Sequence, residues 1–112
     1  MKPVLAVLAI LFPQLAIAAE CRFVSECYEA DGCYETEYDL TLNLTSDTAR
    51  VETIAGTFDA AAAAGDGIVT ITGQGLGMMH MLTLADGGDA RYAVQMGDAS
   101  GVTMITYHGT CQ

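Results

Sequence analysis

The chain has 112 residues and a formal charge of −10, with 14 Asp and Glu against 4 Lys and Arg. That excess of carboxylates excludes nucleic acid and anionic membranes as partners, since both repel it, and leaves a basic protein or multivalent cations as what it would attract. A chain of this length forms one domain with a modest core.

Residues 1–18, MKPVLAVLAILFPQLAIA, join one cation, Lys2, to an apolar run from Val4 to Leu15 and a small-residue ending, Ala16-Ile17-Ala18. This is the form of an export signal cut by signal peptidase. Pro13 and Gln14 interrupt the run before it reaches the roughly 20 apolar residues of a membrane anchor, so no membrane insertion is expected. A lipid-attachment reading of Cys21 is opposed by Glu20, where such a site takes a small residue. The mature domain is therefore expected over residues 19–112, 94 residues long (112 − 18), with a formal charge of −11 once Lys2 is removed (3 − 14). Its expected location is the periplasm or the outside of the cell.

All four cysteines, Cys21, Cys27, Cys33 and Cys111, follow the cleavage site. An even count in a small exported chain points to two disulfides, and the spacing lacks the C-x2-C knuckles of structural zinc sites. Four cysteines allow three pairings. If the first and last strands of an up-and-down sheet close on each other, Cys21 meets Cys111, leaving Cys27 to pair with Cys33 across the turn Glu29-Ala30-Asp31-Gly32.

From Tyr34 to Leu44 the residues Tyr34, Thr36, Tyr38, Leu40, Leu42 and Leu44 alternate with Glu35, Glu37, Asp39, Thr41 and Asn43. A period of two sustained this long predicts a strand with one buried and one wet face, as in an antiparallel sheet. Glycine- and aspartate-rich turns then recur, and between them strands are expected near 21–28, 34–44, 49–58, 67–73, 77–85, 90–96 and 102–110. Seven or eight short strands imply an all-β barrel or sandwich. The alanines from Ala60 to Ala64 read as a connector, too few to nucleate a helix.

The segment Gly77-Met78-Met79-His80-Met81-Leu82 concentrates thioethers beside an imidazole, ligands that suit Cu(I). The loop Asp86-Gly87-Gly88-Asp89 is symmetric about its glycines, so Ala85 is expected to face Ala90, Met81 to face Val94 and Met79 to face Met96. A loop of Asp98-Ala99-Ser100 would set Met96 against Val102 and Val94 against Met104. One face would then carry Met79, Met81, Val94, Met96, Val102 and Met104 as a methionine-padded core. The other would carry His80, Gln95, Thr103, Arg91 and Tyr107 outward, and Arg91, Tyr107, His80 and Gln95 form the candidate partner-binding surface. A copper site would use Met79, Met81, Met96 and His108, with His80 as a further imidazole, but a regular strand puts His80 opposite Met79 and Met81 unless a bulge at Gly77 reunites them.

Met79-His80-Met81, followed by Met96 and His108, resembles the ligand set of small exported copper carriers built on β-barrels, which implies copper as cofactor. The intervals differ from theirs, and the chain has no Trp to cap a metal. Gly88-Asp89-Ala90-Arg91-Tyr92 is similar to the serine-glycine-x-x-tyrosine loop of the small periplasmic inhibitors of lysozyme, which are exported, disulfide-linked, eight-stranded antiparallel barrels. That resemblance spans five residues, lacks the serine-glycine pair and finds no lysine in the mature chain. It implies a basic enzyme as partner.

Catalytic constellations are not found by spacing. There is no G-x-S-x-G, Ser25, Ser46 and Ser100 fall in strands or turns, and the acids sit on a wet face or in hairpin turns without calcium-loop spacing. The expected function is a non-catalytic binding or inhibitor-type module for an envelope or extracellular partner, needing no cofactor; the alternative is a Cu(I)-binding protein.

Overall fold

The computed structural model describes residues 17–112. Eight strands follow one another: β1 (Ile17–Tyr28), β2 (Gly32–Leu44), β3 (Thr48–Thr53), β4 (Gly56–Gly65), β5 (Ile68–Gly75), β6 (Met78–Ala85), β7 (Asp89–Asp98) and β8 (Gly101–Cys111). Each pairs antiparallel with the next, and β8 returns to β1 to close a barrel. Closure removes the unpaired edges that an open sheet would expose. Of the expected export signal, residues 1–16 lie outside the described residues, while Ile17 and Ala18 pair with Leu44 and Asn43 at the start of β1.

From Thr36 to Leu42 the alternation in β2 runs as its sequence predicts, with Leu40 and Leu42 buried in the lumen and Glu37 and Asp39 exposed outside, whereas Tyr34, expected on the buried face, is exposed near the turn from β1. Phe23, Leu42, Val51 and Ile71 are the largest fully buried side chains. Between Phe23 and Ser25 the register of β1 shifts against both neighbours, which sets Glu26 opposite the buried Tyr107. At this seam Gly109 lies so close to β1 that a Cβ there would strike the Arg22 carbonyl and come within 2.6 Å of the Phe23 Cα.

Two expectations are corrected between residues 49 and 64. The strand expected over 49–58 divides at Thr53-Ile54-Ala55-Gly56, because the Thr53 hydroxyl accepts from the Ala55 amide at 3.1 Å and donates to the Gly56 carbonyl at 3.0 Å, with Gly56 at a φ of 145°. The alanine run is not a connector but the second half of β4, laddered to Thr48 and Ala49 on one side and to Val69, Thr70, Ile71 and Thr72 on the other. Neighbouring strands supply the hydrogen bonds that alanine's own preference would not select. Small residues are also needed here, since a Cβ on Gly73 would sit 2.9 Å from that of Ala60.

The disulfides join Cys21 to Cys111 and Cys27 to Cys33, 90 and 6 residues apart in sequence. In the chain-entropy account, closing the long loop contributes about 4–5 kcal/mol and the short one about 2 kcal/mol. We expect denaturant unfolding of Cys21→Ala/Cys111→Ala to show the larger loss of stability, and equal losses from the two pairs would contradict it.

Candidate functional site

The turns that flank β7 decide which side chains meet. Gly87 and Gly88 both adopt left-handed φ angles of 92° and 99°, the Gly88 amide donates to the Ala85 carbonyl, and the Gly88 carbonyl accepts from Cys111 on β8. The loop is therefore asymmetric, and Leu84, not Ala85, faces Ala90. After β7 the connection has two residues, not three. The Asp98 carboxylate accepts from the Ser100 hydroxyl and amide, which also holds it below the usual carboxylate range, and Asp98 pairs with Gly101.

Two shifts of one residue turn β7 over relative to the expected register and leave β6 and β8 in step, because strand side chains alternate. Met79 faces Gln95 and then Met104, and Met81 faces Ala93 and then Thr106. The methionine face is also the outer one: Met79 and Met81 are 45% and 51% exposed, whereas Leu82, Tyr92 and Val94 are buried. Burying Leu82, Leu84 and Tyr92 removes more apolar surface from water than burying Met79, Met81 and Thr83 would.

The expected partner surface is divided by this. Arg91 and Gln95 are exposed on the outside, while His80 and Tyr107 are buried within the barrel. The expected copper set is divided too: Met79, Met81 and His108 lie outside, and Met96 packs partly buried against the core. On the outer face His108 stands beside Arg91 in the row of Thr83, one step beyond Met81 and two beyond Met79, so those four residues do not converge.

His80, 3% exposed, is held at both ring nitrogens. The Gly75 carbonyl, 2.8 Å from Nε2, can only accept, so Nε2 donates and Nδ1 accepts the Tyr92 hydroxyl at 2.7 Å. The ring stacks on Phe58 at 3.9 Å and lies parallel to Tyr92 at 5.9 Å. Tyr92 continues to Tyr107 at 5.4 Å, and Tyr107 stacks on Tyr38 at 4.9 Å. Gly75 makes room for this column, since a Cβ there would strike the Phe58 side chain.

On the outside, charge is distributed unevenly. Glu20, Arg22, Glu35, Glu37, Asp39, Arg50, Glu52 and Asp59 are carried by β1 to β4. Across β5 to β8 the outer rows read Thr72, Met81, Ala93, Thr106 and Gln74, Met79, Gln95, Met104. The cation of this region, Arg91, is paired with Asp89 at 2.7 Å. Ile68 and Val102, 44% and 69% exposed, extend the apolar surface to either side. Sequence reasoning missed Thr72 and Ala93 as members of this face and Met78 as an inward residue; the signal available was the parity of Leu82 and Leu84 with His80.

Comparison with known protein families, with curated proteins and with solved structures returns no match.

Burial raises the pKa of Tyr92, with a smaller contribution from Tyr38; burial also raises that of Tyr107, assisted by the Glu26 carboxylate. In the unfolded chain a tyrosine ionises near about pH 10. The folded-state values being higher, the stabilisation is complete below that pH and is lost as pH rises above it. We expect the unfolding free energy to fall steadily above about pH 10 in denaturant titrations, and constant stability through that range would contradict the burial of these hydroxyls.

Proposed function

We propose that this protein is a non-catalytic binding module of the periplasm or extracellular space that docks a partner protein on the outer face of β5 to β8. The observation that carries the reading is the division of the barrel's outside into a carboxylate-rich half on β1 to β4 and a half on β5 to β8 whose unpaired surface is thioether, methyl, hydroxyl and amide, with the His108 imidazole at one end. Exposed apolar patches with a polar rim mark docking surfaces. Here the rim is acidic, so the matching partner has an apolar centre and basic surroundings, the charge pattern suited to an inhibitor of a basic enzyme.

Three further features support the reading. The disulfides are consistent with an oxidising compartment outside the cytoplasm. His80 has both nitrogens engaged in the wall of the barrel, which favours a structural over a catalytic use. Outward charges on β2, β3 and β4 weigh against a girdle of lipid around the barrel, where each would be costly.

The test is site-specific photocrosslinking in the intact cell envelope, with the probe placed in turn at Thr72, Met81, Ala93, Thr41 and Glu52. The reading expects one common crosslinked protein from the first three positions, lost from the Thr72 and Ala93 probes when Met79→Glu/Met81→Glu is introduced. Crosslinks confined to Thr41 and Glu52, or none at the first three, would overturn it.

A further inference from the structure

At one end of the barrel, between β5, β6 and β7, lies a cleft of about 550 Å³ lined by Met78, Met79, Met96, Gln74 and Gln95, with glycines completing its wall. Three thioethers and no charged side chain border it. The β6–β7 register, with Met79 opposite Gln95, sets Met78 opposite Met96 when carried one residue further. Directly opposed residues of an antiparallel pair stand about 4.5–5.5 Å apart at Cβ, within the reach of two flexible thioethers to one ion. Met79 reaches the same cleft from the outer side of the rim. Gly77, whose added Cβ would meet nothing within 4 Å, leaves the approach open.

We propose that this cleft binds a single Cu(I) ion through the thioethers of Met78, Met96 and Met79. Thioethers are soft, neutral donors that favour Cu(I) over harder divalent cations. Among the described residues no group of three or more His, Cys, Asp or Glu could hold a metal, and all four cysteines are oxidised, so no thiolate competes. A neutral ligand set also suits a monovalent ion, while the acidic surface raises the local concentration of cations. His80, two residues from Met78 on the same inner side, is the wall behind the site and not a ligand, because Tyr92 and Gly75 occupy its nitrogens. The ligand set thus drops Met81 and His108 from the one expected by sequence and gains Met78; it shares Met79 with the docking face and takes Met78 and Met96 from the barrel's end.

The test is anaerobic titration of the disulfide-intact protein with Cu(I) against a chromophoric Cu(I) chelator, alongside NMR of methionine methyl groups. The expected result is one copper per chain, with the methyl resonances of Met78, Met79 and Met96 displaced and those of Met81 and Met104 unmoved. Met78→Leu/Met96→Leu keeps core volume and should weaken binding about tenfold or more, whereas Met81→Leu/Met104→Leu should not. Failure to hold copper against the chelator, displacement of Met81 and Met104 instead, or an unchanged affinity in the Met78/Met96 variant would overturn the site. The wild-type methyl spectrum decides the matter even if a variant misfolds.

Discussion

Closure of β8 onto β1 is the constraint from which the rest of this structure follows. Once eight strands form a ring, every side chain on them points either into a lumen of fixed size or out to solvent. The lumen of this barrel is crowded by rings: Phe58, His80, Tyr92, Tyr107 and Tyr38 pass from one neighbour to the next across its interior, with Phe23 against Tyr92 and Tyr107. Such a column fits only where the opposing positions are small. Gly75 lies against Phe58, Gly73 against Ala60, and Gly109 against the backbone of β1, all within van der Waals exclusion of any added Cβ. The pairing of Cys21 with Cys111 then locks the same seam covalently.

A buried histidine fits this interior because its hydrogen-bonding capacity is spent locally. With Tyr92 donating to one nitrogen and Gly75 accepting from the other, no buried side-chain polar atom among the described residues is left without a partner. Removing either partner would leave the imidazole unsatisfied in the interior, at a cost of about 1–3 kcal/mol. The functional consequence is topological. By holding His80 inside, the barrel sends Met79 and Met81 outside, where they join Ala93, Met104 and Thr106 in an uncharged surface, and it places Met78 with Met96 at the barrel's end.

Much of the fold could be read in the sequence. The long alternation of β2, the recurring glycine turns and the four cysteines carry the all-β architecture and both disulfides, because period two and turn chemistry are local signals. Register was not legible, since it depends on backbone angles inside turns. The loop at Gly87 and Gly88 looks symmetric as letters, yet its two left-handed glycines and the hydrogen bond to Ala85 make it asymmetric. A second one-residue difference at Asp98 and Gly101 compounded the first. Thus a strand such as β7, bounded by both turns, was inverted in expectation while β6 and β8 kept their mutual phase. The alanines of β4 were missed for a related reason: their strand conformation is imposed by neighbours and not by their own preference.

Everything drawn from this barrel depends on His80 lying in the lumen and Met79 and Met81 on the surface. The measurement that bears on it most directly is a nuclear Overhauser spectrum of the disulfide-intact protein. Contacts from the His80 ring protons to the rings of Phe58 and Tyr92, with the Met81 methyl contacting Ala93 and Thr72, are the result this account requires. Contacts of the Met79 or Met81 methyl groups with those rings, and of His80 with Gln95 and Thr103, would restore the opposite register and remove both the docking face and the metal cleft.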